Sequence, residues 1–416
     1  MINKQTWDFI CQHAADDVRK LALQGTKDAA VDLPIALQQI AGRQTALKKL
    51  PSWAATEEIL YPPHLNMEQC SSEQTARYKA QLAGSGNVYV DLTGGLGVDF
   101  YWMSQGFKQR YYVEQNAELC ELAEHNFRVL DHDCTVYCCD TTKYLTNAPH
   151  ADVIFLDPAR RNEHGGRTYD IKDCTPNILE LLPILMEKAD KVILKLSPML
   201  DWRKAVDDLQ HPTPITHHPS PIRNATLCSA ENTQHPSPVI TEVHIVSVDN
   251  ECKELLLVLE QAERPLRLVC VNNDQIFVSP ITHHPTPITQ HLSPNTPSYL
   301  YEPNASIMKA GCFEALAQQY PVCPVSANSH LFLSSVEIED FPGRRFQICA
   351  ISSTNKQSLK AALADIDRAN ITVRNFPMSV EQLRKKLHLK DGGDTYIFAT
   401  TKADGAHCLY ICRKIG

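Results

Sequence analysis

The segment at residues 87–99, Asn-Val-Tyr-Val-Asp-Leu-Thr-Gly-Gly-Leu-Gly-Val-Asp, most constrains how this chain can fold. Residues 88–90 are an apolar run of β-forming side chains, which is typical of a buried strand, and a helical pattern follows residue 99. The turn between strand and helix contains Gly94, Gly95 and Gly97. Because glycine has no Cβ and tolerates positive φ, such a turn lets the backbone approach a ligand closely. An ordinary strand-to-helix turn is the alternative, so further motifs must decide between the two.

Acidic residues follow at the ends of the next predicted strands. The second strand ends in Glu114, 23 positions after Asp91, the third ends near Asp140, and the fourth runs into Asp157. In nucleotide-binding sheets, an acidic residue roughly 20 positions after the first strand binds the ribose hydroxyls. The spacing therefore predicts a nucleotide-like cofactor at the carboxyl edge of a parallel sheet.

These motifs are ordered as in a known family. The run at 91–99, then Glu114, Asp140 and Asp-Pro-Ala-Arg at 157–160, resembles the motifs of class I AdoMet-dependent methyltransferases. The chain is more closely similar to a bacterial group of predicted RNA methyltransferases that carry a THUMP-like C-terminal domain. Further segments that are similar to that group lie at 68–79, 301–311 and 374–377. The resemblance covers most of the chain from about residue 68 onward, apart from two insertions.

The resemblance implies S-adenosyl-L-methionine (AdoMet) as the cofactor and assigns a role to each motif. Glu114 is expected to bind both ribose hydroxyls, Asp91 the amino-acid end of AdoMet, and Asp140 the adenine. The predicted cofactor-binding residues are Asp91, Thr93, Gly94, Gly95, Gly97, Asp99, Glu114, Gln115, Asp140, Thr141 and Asp157. The predicted catalytic residues, beside the methyl group and on the adjoining rim, are Asp157, Pro158, Arg160 and Lys195.

The motif that begins at Asp157 bears on the substrate. Enzymes that methylate an amino group of adenine or guanine commonly have Asp/Asn-Pro-Pro followed by an aromatic residue, which stacks on the flipped base. Ala159 and Arg160 stand in those places here. Arg160 and Arg161 could bind phosphate or a base edge, or they could form an ion pair with a nearby acidic residue such as Asp173.

Basic residues are concentrated near the C-terminus, although the net charge of the chain is −8. Residues 341–416 contain 13 Lys plus Arg against 6 Asp plus Glu, a net +7, which leaves −15 for the remaining residues. A basic patch attracts phosphate backbones regardless of total charge, although a solvated surface with a chance bias would look the same. A predicted helix here has Arg384, Lys385 and Lys386 on its outer face. With Arg160 and Arg161, these are the predicted contacts to RNA, expected to be tRNA or rRNA.

The sequence predicts a soluble cytoplasmic protein that does not bind a membrane. The N-terminus lacks a basic region followed by an apolar core, and no apolar run reaches the roughly 18 residues of a membrane helix. The 15 cysteines include no Cys-x-x-Cys pair, which argues against a zinc ribbon and thioredoxin-like chemistry. In a cytosolic protein they are expected to stay reduced, without a disulfide or metal role. Methylation of carbon would use a cysteine nucleophile, and only Cys174 is near Asp157. Methylation of a base nitrogen in RNA is therefore favoured.

Two insertions rich in proline and histidine interrupt the pattern. The run Pro-Ile-Thr-His-His-Pro-Ser-Pro-Ile at 214–222 recurs at 280–288 with Thr286 in place of Ser220. Prolines at this density prevent the hydrogen bonding of helices and sheets, so extended or disordered surface segments are expected. The histidines suggest metal binding, but repeats without a rigid frame rarely form a specific site, and no metal is expected.

The predicted fold class is α/β, because strands and helices alternate after an N-terminal helical region. Residues 1–85 are the helical region, and 86–262 form a doubly wound, Rossmann-like methyltransferase domain with a seven-stranded sheet and an insertion at about 211–239. A small ferredoxin-like module at 263–336 follows, with the second insertion at about 279–298. A THUMP-like basic α/β module at 337–416 ends the chain. The last two modules are both α+β.

Four local features of this prediction are specific. One helix is expected through residues 8–23, and Thr175-Pro176 is expected to begin a helix that runs to about residue 188. A terminal hairpin of strands at 242–248 and 254–259 is connected through residues 249–253. The hairpin at 266–278 is grouped with residues 299–333 in the ferredoxin-like module.

Three functions remain open at this stage. The first is an AdoMet-dependent RNA methyltransferase, and the second is a methyltransferase that acts on DNA or a small molecule. The third is an RNA-binding protein whose methyltransferase fold retains the cofactor without catalysing transfer. A nicotinamide-dependent dehydrogenase is disfavoured, because the glycines of the turn at 94–97 do not match Gly-x-Gly-x-x-Gly.

Overall fold

The structure is a computed structural model that describes residues 2–160, 170–211, 239–261, 264–280 and 297–415, without the side chains of Arg160 and Pro280. Arg161 and most of both proline- and histidine-rich insertions therefore lie outside the described residues. The chain divides into two compact units. Unit 1 is Met1–Glu242 with Leu255–Arg264, and unit 2 is Val243–Glu254 with Pro265–Gly416.

The N-terminal region of unit 1 is helical, as predicted. Its helices are α1 (Lys4–Gln12), α2 (Val18–Gln24), α3 (Leu33–Lys49), α4 (Pro51–Ala55), α5 (His64–Gln69) and α6 (Glu73–Ala83). The single helix expected through residues 8–23 is wrong, because Asp17 caps a second helix by accepting hydrogen bonds from the N–H groups of Arg19 and Lys20. At α3, Asp32 is the N-cap ahead of a proline in the first turn.

These helices pack on the segment that contains the glycine turn. Trp53, Met67 and Ala76, from α4, α5 and α6, share a buried apolar cluster with Leu96 and Val98. Burial of this apolar area favours the association, at roughly 25 cal/mol per Å². The helical region therefore holds the turn in place.

The first sheet alternates with helices along the chain. Its strands are β1 (Gly86–Asp91), β2 (Phe107–Glu114), β3 (Thr135–Cys138), β4 (Ala151–Leu156), β7 (Ala189–Leu196), β8 (Val239–Val248) and β9 (Glu251–Glu260), and a separate two-stranded ladder is formed by β5 (Ala159–Arg160) and β6 (Cys174–Thr175). The intervening helices are α7 (Val98–Met103), α8 (Ala117–Val129), α9 (Thr141–Leu145), α10 (Ile178–Lys188) and α11 (Trp202–Gln210).

The strand order β8-β9-β7-β4-β1-β2-β3 confirms the predicted doubly wound arrangement of seven strands. Among the described residues the sheet has nine strands, because two further strands continue it beyond β8. β1 runs parallel to both β2 and β4, β4 runs parallel to β7, and β9 is antiparallel to β7. The five-residue connection predicted at 249–253 is wrong. The hairpin turns at Asp249 and Asn250, whose φ values of 51° and 61° match a two-residue turn with both central residues left-handed.

The start of α10 also differs from the prediction. Asn177 is its N-cap and accepts a hydrogen bond from the Leu179 N–H at 3.1 Å. Thr175 instead pairs with Ala159 in the β5–β6 ladder. Thr175 and Asn177 are both favourable N-cap types, and the ladder leaves only the second available.

Unit 2 has two sets of paired strands. A hairpin of β10 (Arg267–Asn272) and β11 (Gln275–Pro280) continues the strand order beyond β8. A second sheet follows the order β13-β14-β12-β15-β18-β17-β16, with β12 (Tyr299–Pro303), β13 (Cys323–Pro324), β14 (Phe332–Ser334), β15 (Gly343–Ser353), β16 (Asn370–Arg374), β17 (Thr395–Thr401) and β18 (His407–Ile415). Its helices are α12 (Ala305–Ala310), α13 (Phe313–Gln319), α14 (Lys356–Ala362) and α15 (Val380–Leu387).

This pairing differs from the predicted grouping of strands. The hairpin at 266–278 belongs to a different sheet from residues 299–333, so its predicted place in the ferredoxin-like module is wrong. The strands expected for the ferredoxin-like and THUMP-like modules share one sheet, because β12 pairs with β15. Among the described residues, no helix has the length and apolar character needed to cross a bilayer.

Asn126 on α8 provides a test of how the helical region is attached. Its amide accepts from the Leu60 N–H at 2.8 Å and donates to the Leu60 carbonyl at 2.9 Å, and Asn126 is fully buried. We expect Asn126→Ala to lower the free energy of unfolding by about 2–4 kcal/mol, because two backbone groups lose their partner. His125→Ala is the control, since His125 makes an exposed contact to the Glu58 carbonyl. Equal urea midpoints for the two variants would contradict this account.

Candidate active site

A cavity of about 560 Å³ lies at the carboxyl ends of β1, β2 and β4 in unit 1. This volume is within the range of small-molecule sites. The structure brings every predicted cofactor-binding residue to its wall: Asp91, Thr93, Gly94, Gly95, Gly97, Asp99, Glu114, Gln115, Asp140, Thr141 and Asp157. Lys195 also lines the cavity, whereas Pro158 is buried and is not in its described lining.

The glycine turn is shaped by packing as much as by access to a ligand. A Cβ on Gly94 would lie 2.0 Å from a ring carbon of Tyr112, and one on Gly97, where φ is +87°, would lie 2.5 Å from Phe127. Gly95 also has positive φ, +56°, but a Cβ there would have only the Thr93 carbonyl oxygen nearby, at 3.8 Å. Gly94 and Gly97 are therefore required for packing, and Gly95 is the glycine with open space above it.

Asp91 ends β1 and is 1 % exposed. Its Oδ1 accepts a hydrogen bond from the Thr93 N–H at 2.9 Å, whereas its buried Oδ2 has no hydrogen-bond partner among the described residues. Burial raises the pKa of the Asp91 carboxyl well above its ordinary value. An unpartnered carboxylate oxygen in a cavity wall fits an ammonium group such as that of AdoMet.

Glu114 and Asp140 are held by backbone N–H groups. Glu114 Oε2 accepts from the Gly95 N–H at 2.9 Å, and Oε1 accepts from the Asn116 N–H at 2.8 Å. Each oxygen keeps a further acceptor position, which suits a pair of ribose hydroxyls. Asp140 is the N-cap of α9, and hydrogen bonds from the Thr142 hydroxyl and from backbone N–H groups lower the pKa of Asp140.

Four charged groups and one hydroxyl form a connected set, which we call the lysine–aspartate network: Lys79, Asp99, Asp157, Lys195 and Ser71. All of them except Lys79 are in the described lining of the cavity. Lys195 Nζ lies 2.5 Å from Asp157 Oδ2 and 3.5 Å from Asp99 Oδ2. Lys79 Nζ lies 3.0 Å from Asp99 Oδ1 and donates to Ser71 Oγ at 2.8 Å. The Ser71 hydroxyl donates to Asp99 Oδ2 at 2.7 Å. Asp99 therefore bridges two lysines.

The network sets the charge of both aspartates. Burial opposes ionisation of Asp99, but the Lys79 and Lys195 ammonium groups and the Ser71 hydrogen bond outweigh it and lower the pKa of Asp99. Burial raises the pKa of Asp157, with Lys195 acting in the opposite direction. Because the oxygens of Asp99 contact lysines and a hydroxyl, its position favours charge placement over direct contact with a cofactor. Its cofactor-binding role stays a prediction.

Sequence reasoning did not identify Lys79 and Ser71 as site residues. Both lie within the segment at 68–79, but a lysine on a helix is normally exposed, and only the structure shows that Lys79 is fully buried. Residues after the Asp157 strand also line the cavity without having been singled out for the site: Lys172, Thr175, Pro176, Asn177 and Glu180. The sequence gives little indication of these residues, because they lie in or beside a short ladder and at the start of a helix.

The structure describes the side chains of three of the five predicted substrate contacts. Arg160 lies on β5, but its side chain, like all of Arg161, is outside the description. On α15, Lys385 and Lys386 are exposed. The predicted outward position of Arg384 is wrong, because its half-buried guanidinium donates to the Ala369 carbonyl at 3.0 Å and to Asp391 Oδ1 at 2.5 Å. Among the described residues, no group of three or more metal-ligating side chains could hold a metal ion.

We expect Asp99→Asn to destabilise the protein by about 3 kcal/mol at pH 7, because the buried Lys79 loses its charge partner. The pKa of Asp99 is lowered in the folded state, so its contribution is fully present above the unfolded pKa, roughly 3.9, and is lost as pH falls through the lowered pKa. The difference between variant and wild type should therefore shrink at acidic pH.

Urea unfolding at pH 7 and at pH 3.5 measures this effect. Asp8→Asn is the control, since Asp8 is exposed on α1. A loss for Asp99→Asn that is no larger than that of the control at pH 7 would contradict the network.

Comparisons with known proteins agree with this architecture. A model described as a ferredoxin-like domain matches residues 299–342, and a THUMP domain-like model matches residues 343–414. No curated protein matches the chain. A crystal structure described as a putative methyltransferase from Porphyromonas gingivalis W83 is 28% identical, with 100% of both chains covered and a TM-score of 0.81.

Two more distant structures match parts of the chain. A putative class I S-adenosylmethionine-dependent methyltransferase from Listeria monocytogenes is 10% identical, with 65% of this chain and 94% of that chain covered and a TM-score of 0.37. TrmK of M. capricolum, in complex with S-adenosylhomocysteine, is 11% identical, with 45% and 68% covered and a TM-score of 0.31. The full-length match and the two domain matches confirm the predicted resemblance: the chain has a methyltransferase fold followed by a ferredoxin-like domain and a THUMP-like domain.

Proposed function

We propose that this methyltransferase uses AdoMet to methylate a base nitrogen of structured RNA, tRNA or rRNA, which the basic C-terminal module binds. The observation that carries the proposal is the cavity, whose wall combines the open oxygen of Asp91, the anchored carboxylate of Glu114 and the Asp157–Lys195 pair. These are the groups needed to hold AdoMet and to receive a nitrogen nucleophile beside it.

The residues of the cavity fit AdoMet as cofactor. Asp91 Oδ2 would accept the ammonium of the amino-acid end, and the two oxygens of Glu114 would accept the ribose hydroxyls. Thr141 is held in the wall because its hydroxyl donates to the Leu92 carbonyl at 2.8 Å. When bound, AdoMet supplies a methyl group on a sulfonium, a good leaving group. The protein's task is therefore to position the nucleophile and exclude water.

Asp157 has the properties needed to receive a nitrogen nucleophile. Its backbone N–H donates to the Thr93 hydroxyl at 2.7 Å, which fixes it to the turn after β1. Lys195 occupies Oδ2 at 2.5 Å, whereas Oδ1 has no hydrogen bond among the described residues. Oδ1 can accept the N–H of an amino or ring nitrogen and so orient its lone pair. Burial raises the pKa of Asp157, and the Lys195 charge opposes this rise and so favours the ionised form that accepts the N–H.

RNA is supported as the substrate by the charge and the domain match of the C-terminal module. Residues 341–416 carry a net +7, from 13 Lys plus Arg and 6 Asp plus Glu, in a chain whose total charge is −8. A local basic region of this kind binds phosphate backbones through counterion release. Residues 343–414 match the THUMP domain-like model. A small-molecule methyltransferase has no need of such a module.

AdoMet binding tests the cofactor assignment. By isothermal titration at pH 7, we expect Asp91→Asn to weaken AdoMet binding roughly 10- to 100-fold, because a charge-assisted hydrogen bond is lost. Binding of an ammonium requires the ionised Asp91, whose pKa is raised, so wild-type affinity should increase with pH as Asp91 ionises. The Asp91→Asn variant should lack this dependence. Asp8→Asn is the control, and no binding by the wild-type protein would refute the cofactor.

Methyl transfer tests the substrate and the catalytic pair. Total RNA from cells lacking the gene should accept tritium from methyl-labelled AdoMet in the presence of the wild-type protein. We expect Asp157→Asn to reduce this transfer roughly 10²- to 10⁴-fold while AdoMet binding is retained, since Asp157 acts on the nucleophile. Lys108→Met, which removes an exposed lysine on β2, is the control for surface charge.

Nuclease treatment distinguishes the possible substrates. Label that is removed by ribonuclease supports the proposal, whereas label removed by deoxyribonuclease indicates DNA methylation. Binding of AdoMet without transfer to either nucleic acid would favour a cofactor-binding protein without this activity.

A further inference from the structure

We propose that Glu302, Arg344 and Arg374 in unit 2 form a binding site for a phosphate group, occupied by a backbone phosphate of RNA. The identity of the occupant rests on the proposed function, whereas the phosphate chemistry rests on the site itself. We call these three residues the arginine pair site. None of them was a predicted substrate contact, although Glu302 and Arg374 lie in the segments at 301–311 and 374–377.

The site is assembled from three strands of the second sheet. Glu302 on β12 is directly opposite Arg344 on β15 in the antiparallel register. Arg344 donates from Nε to Glu302 Oε2 at 2.7 Å, and its Nη2 contacts the same oxygen. Arg374, the last residue of β16, donates from Nη2 to Glu302 Oε1 at 2.8 Å. In the strand order, β12 and β16 are four positions apart, so this contact is not a consequence of backbone pairing.

The charge of the site is unbalanced in favour of an anion. Glu302 is 4 % exposed, whereas the side chains of Arg344 and Arg374 are 39 % and 37 % exposed. One guanidinium would be enough to neutralise a buried carboxylate, so the second leaves a net positive charge where the arginines reach solvent. The negative group is therefore beneath the surface, and the positive groups are accessible to a ligand.

The arginines also retain hydrogen-bond donors. A guanidinium has five N–H donors in a planar fork that matches phosphate oxygens. Among the described residues, Arg344 uses donors only toward Glu302, and Arg374 donates one hydrogen bond. Nε of Arg374 is buried and has no partner in the part of the chain that is described. Glu302 thus fixes the orientation of both guanidinium groups, and each of them keeps N–H donors for a ligand.

An aromatic surface close to Arg374 favours a nucleotide over a free anion. The imidazole of His330 stacks on Phe313, with ring centroids 4.3 Å apart and planes at 21°, and both residues are partly exposed. Burial and the charge of Arg374 lower the pKa of His330, which favours the neutral imidazole, and its ring suits stacking. Arginines beside aromatic rings are typical of sites that bind single-stranded nucleic acid.

The test is the salt dependence of RNA binding by the full chain. Fluorescence anisotropy with a labelled RNA hairpin, from 50 to 300 mM KCl, compares wild type with the double variant Arg344→Gln/Arg374→Gln. We expect the double variant to bind roughly 10-fold more weakly at 100 mM KCl. Its slope of log affinity against log salt should be reduced by about 0.7–0.9, the loss of one phosphate contact. Arg19→Gln/Lys20→Gln is the matched control, because it removes the same charge from two exposed side chains on α2.

A second variant and a second ligand separate this site from an ion pair that only stabilises the sheet. Arg374→Lys keeps the charge but not the planar fork, so we expect an unchanged salt slope with roughly 3-fold weaker binding. With inorganic pyrophosphate alone, isothermal titration should detect binding by the wild type that the double variant lacks. Folding of each variant is checked by its thermal midpoint and its AdoMet affinity.

The outcomes are distinguishable from those for methyl transfer. A double variant that folds and binds RNA like wild type, with an unchanged salt slope, overturns the site even if methyl transfer is observed. A lack of RNA binding by the wild type also overturns it. A reduced slope together with absent methyl transfer supports the site and refutes the proposed reaction. Pyrophosphate binding that the double variant loses, with unchanged RNA binding, overturns RNA as the occupant and supports a free phosphate ligand.

Discussion

The ammonium groups of Lys79 and Lys195 both contact the buried carboxylate of Asp99. Together with the contact between Lys195 and Asp157, these ion pairs connect four helices and strands of unit 1. Lys79 comes from α6, Asp99 from α7, Lys195 from β7, and Asp157 from the end of β4. Transfer of such charges from water costs several kcal/mol for each ion, and the cost is offset only when the geometry is good. The helical region must therefore pack correctly on the sheet before the cavity has its charge distribution, which makes these helices part of the site.

The sheet and the order of the cavity residues could be predicted because they depend on local patterns. Short apolar strands are visible as runs of β-forming residues, and parallel strands place the residues that follow them along one edge. Asp91, Glu114, Asp140 and Asp157 are each at such a position, so their spacing in the sequence was sufficient to group them. The sequence did not show that packing requires Gly94 and Gly97, because the rings that a Cβ there would meet, those of Tyr112 and Phe127, are distant in the sequence.

Features that depend on contacts between distant residues could not be predicted. Lys79 has the sequence signature of an exposed helical lysine, and only packing shows that it is buried. Arg384 illustrates the opposite case. Its position on α15 predicted exposure, but the Ala369 carbonyl and Asp391 engage its guanidinium. Charge pattern alone does not distinguish a side chain that binds a ligand from one that binds its own fold.

Two carboxylates of the cavity, those of Asp91 and Asp157, share one arrangement. Each is held at one oxygen by the protein: Asp91 by Thr93, and Asp157 by Lys195. Each has its other oxygen without a protein hydrogen bond among the described residues. Fixed acceptors of this kind need no reorganisation when a ligand arrives, which favours both binding and catalysis. Because these groups would meet parts of AdoMet or a generic N–H, they do not select a particular base. In the proposed function, selection of the base therefore depends on residues that line the cavity after Asp157, such as Glu180, and on the RNA contacts proposed for the C-terminal module.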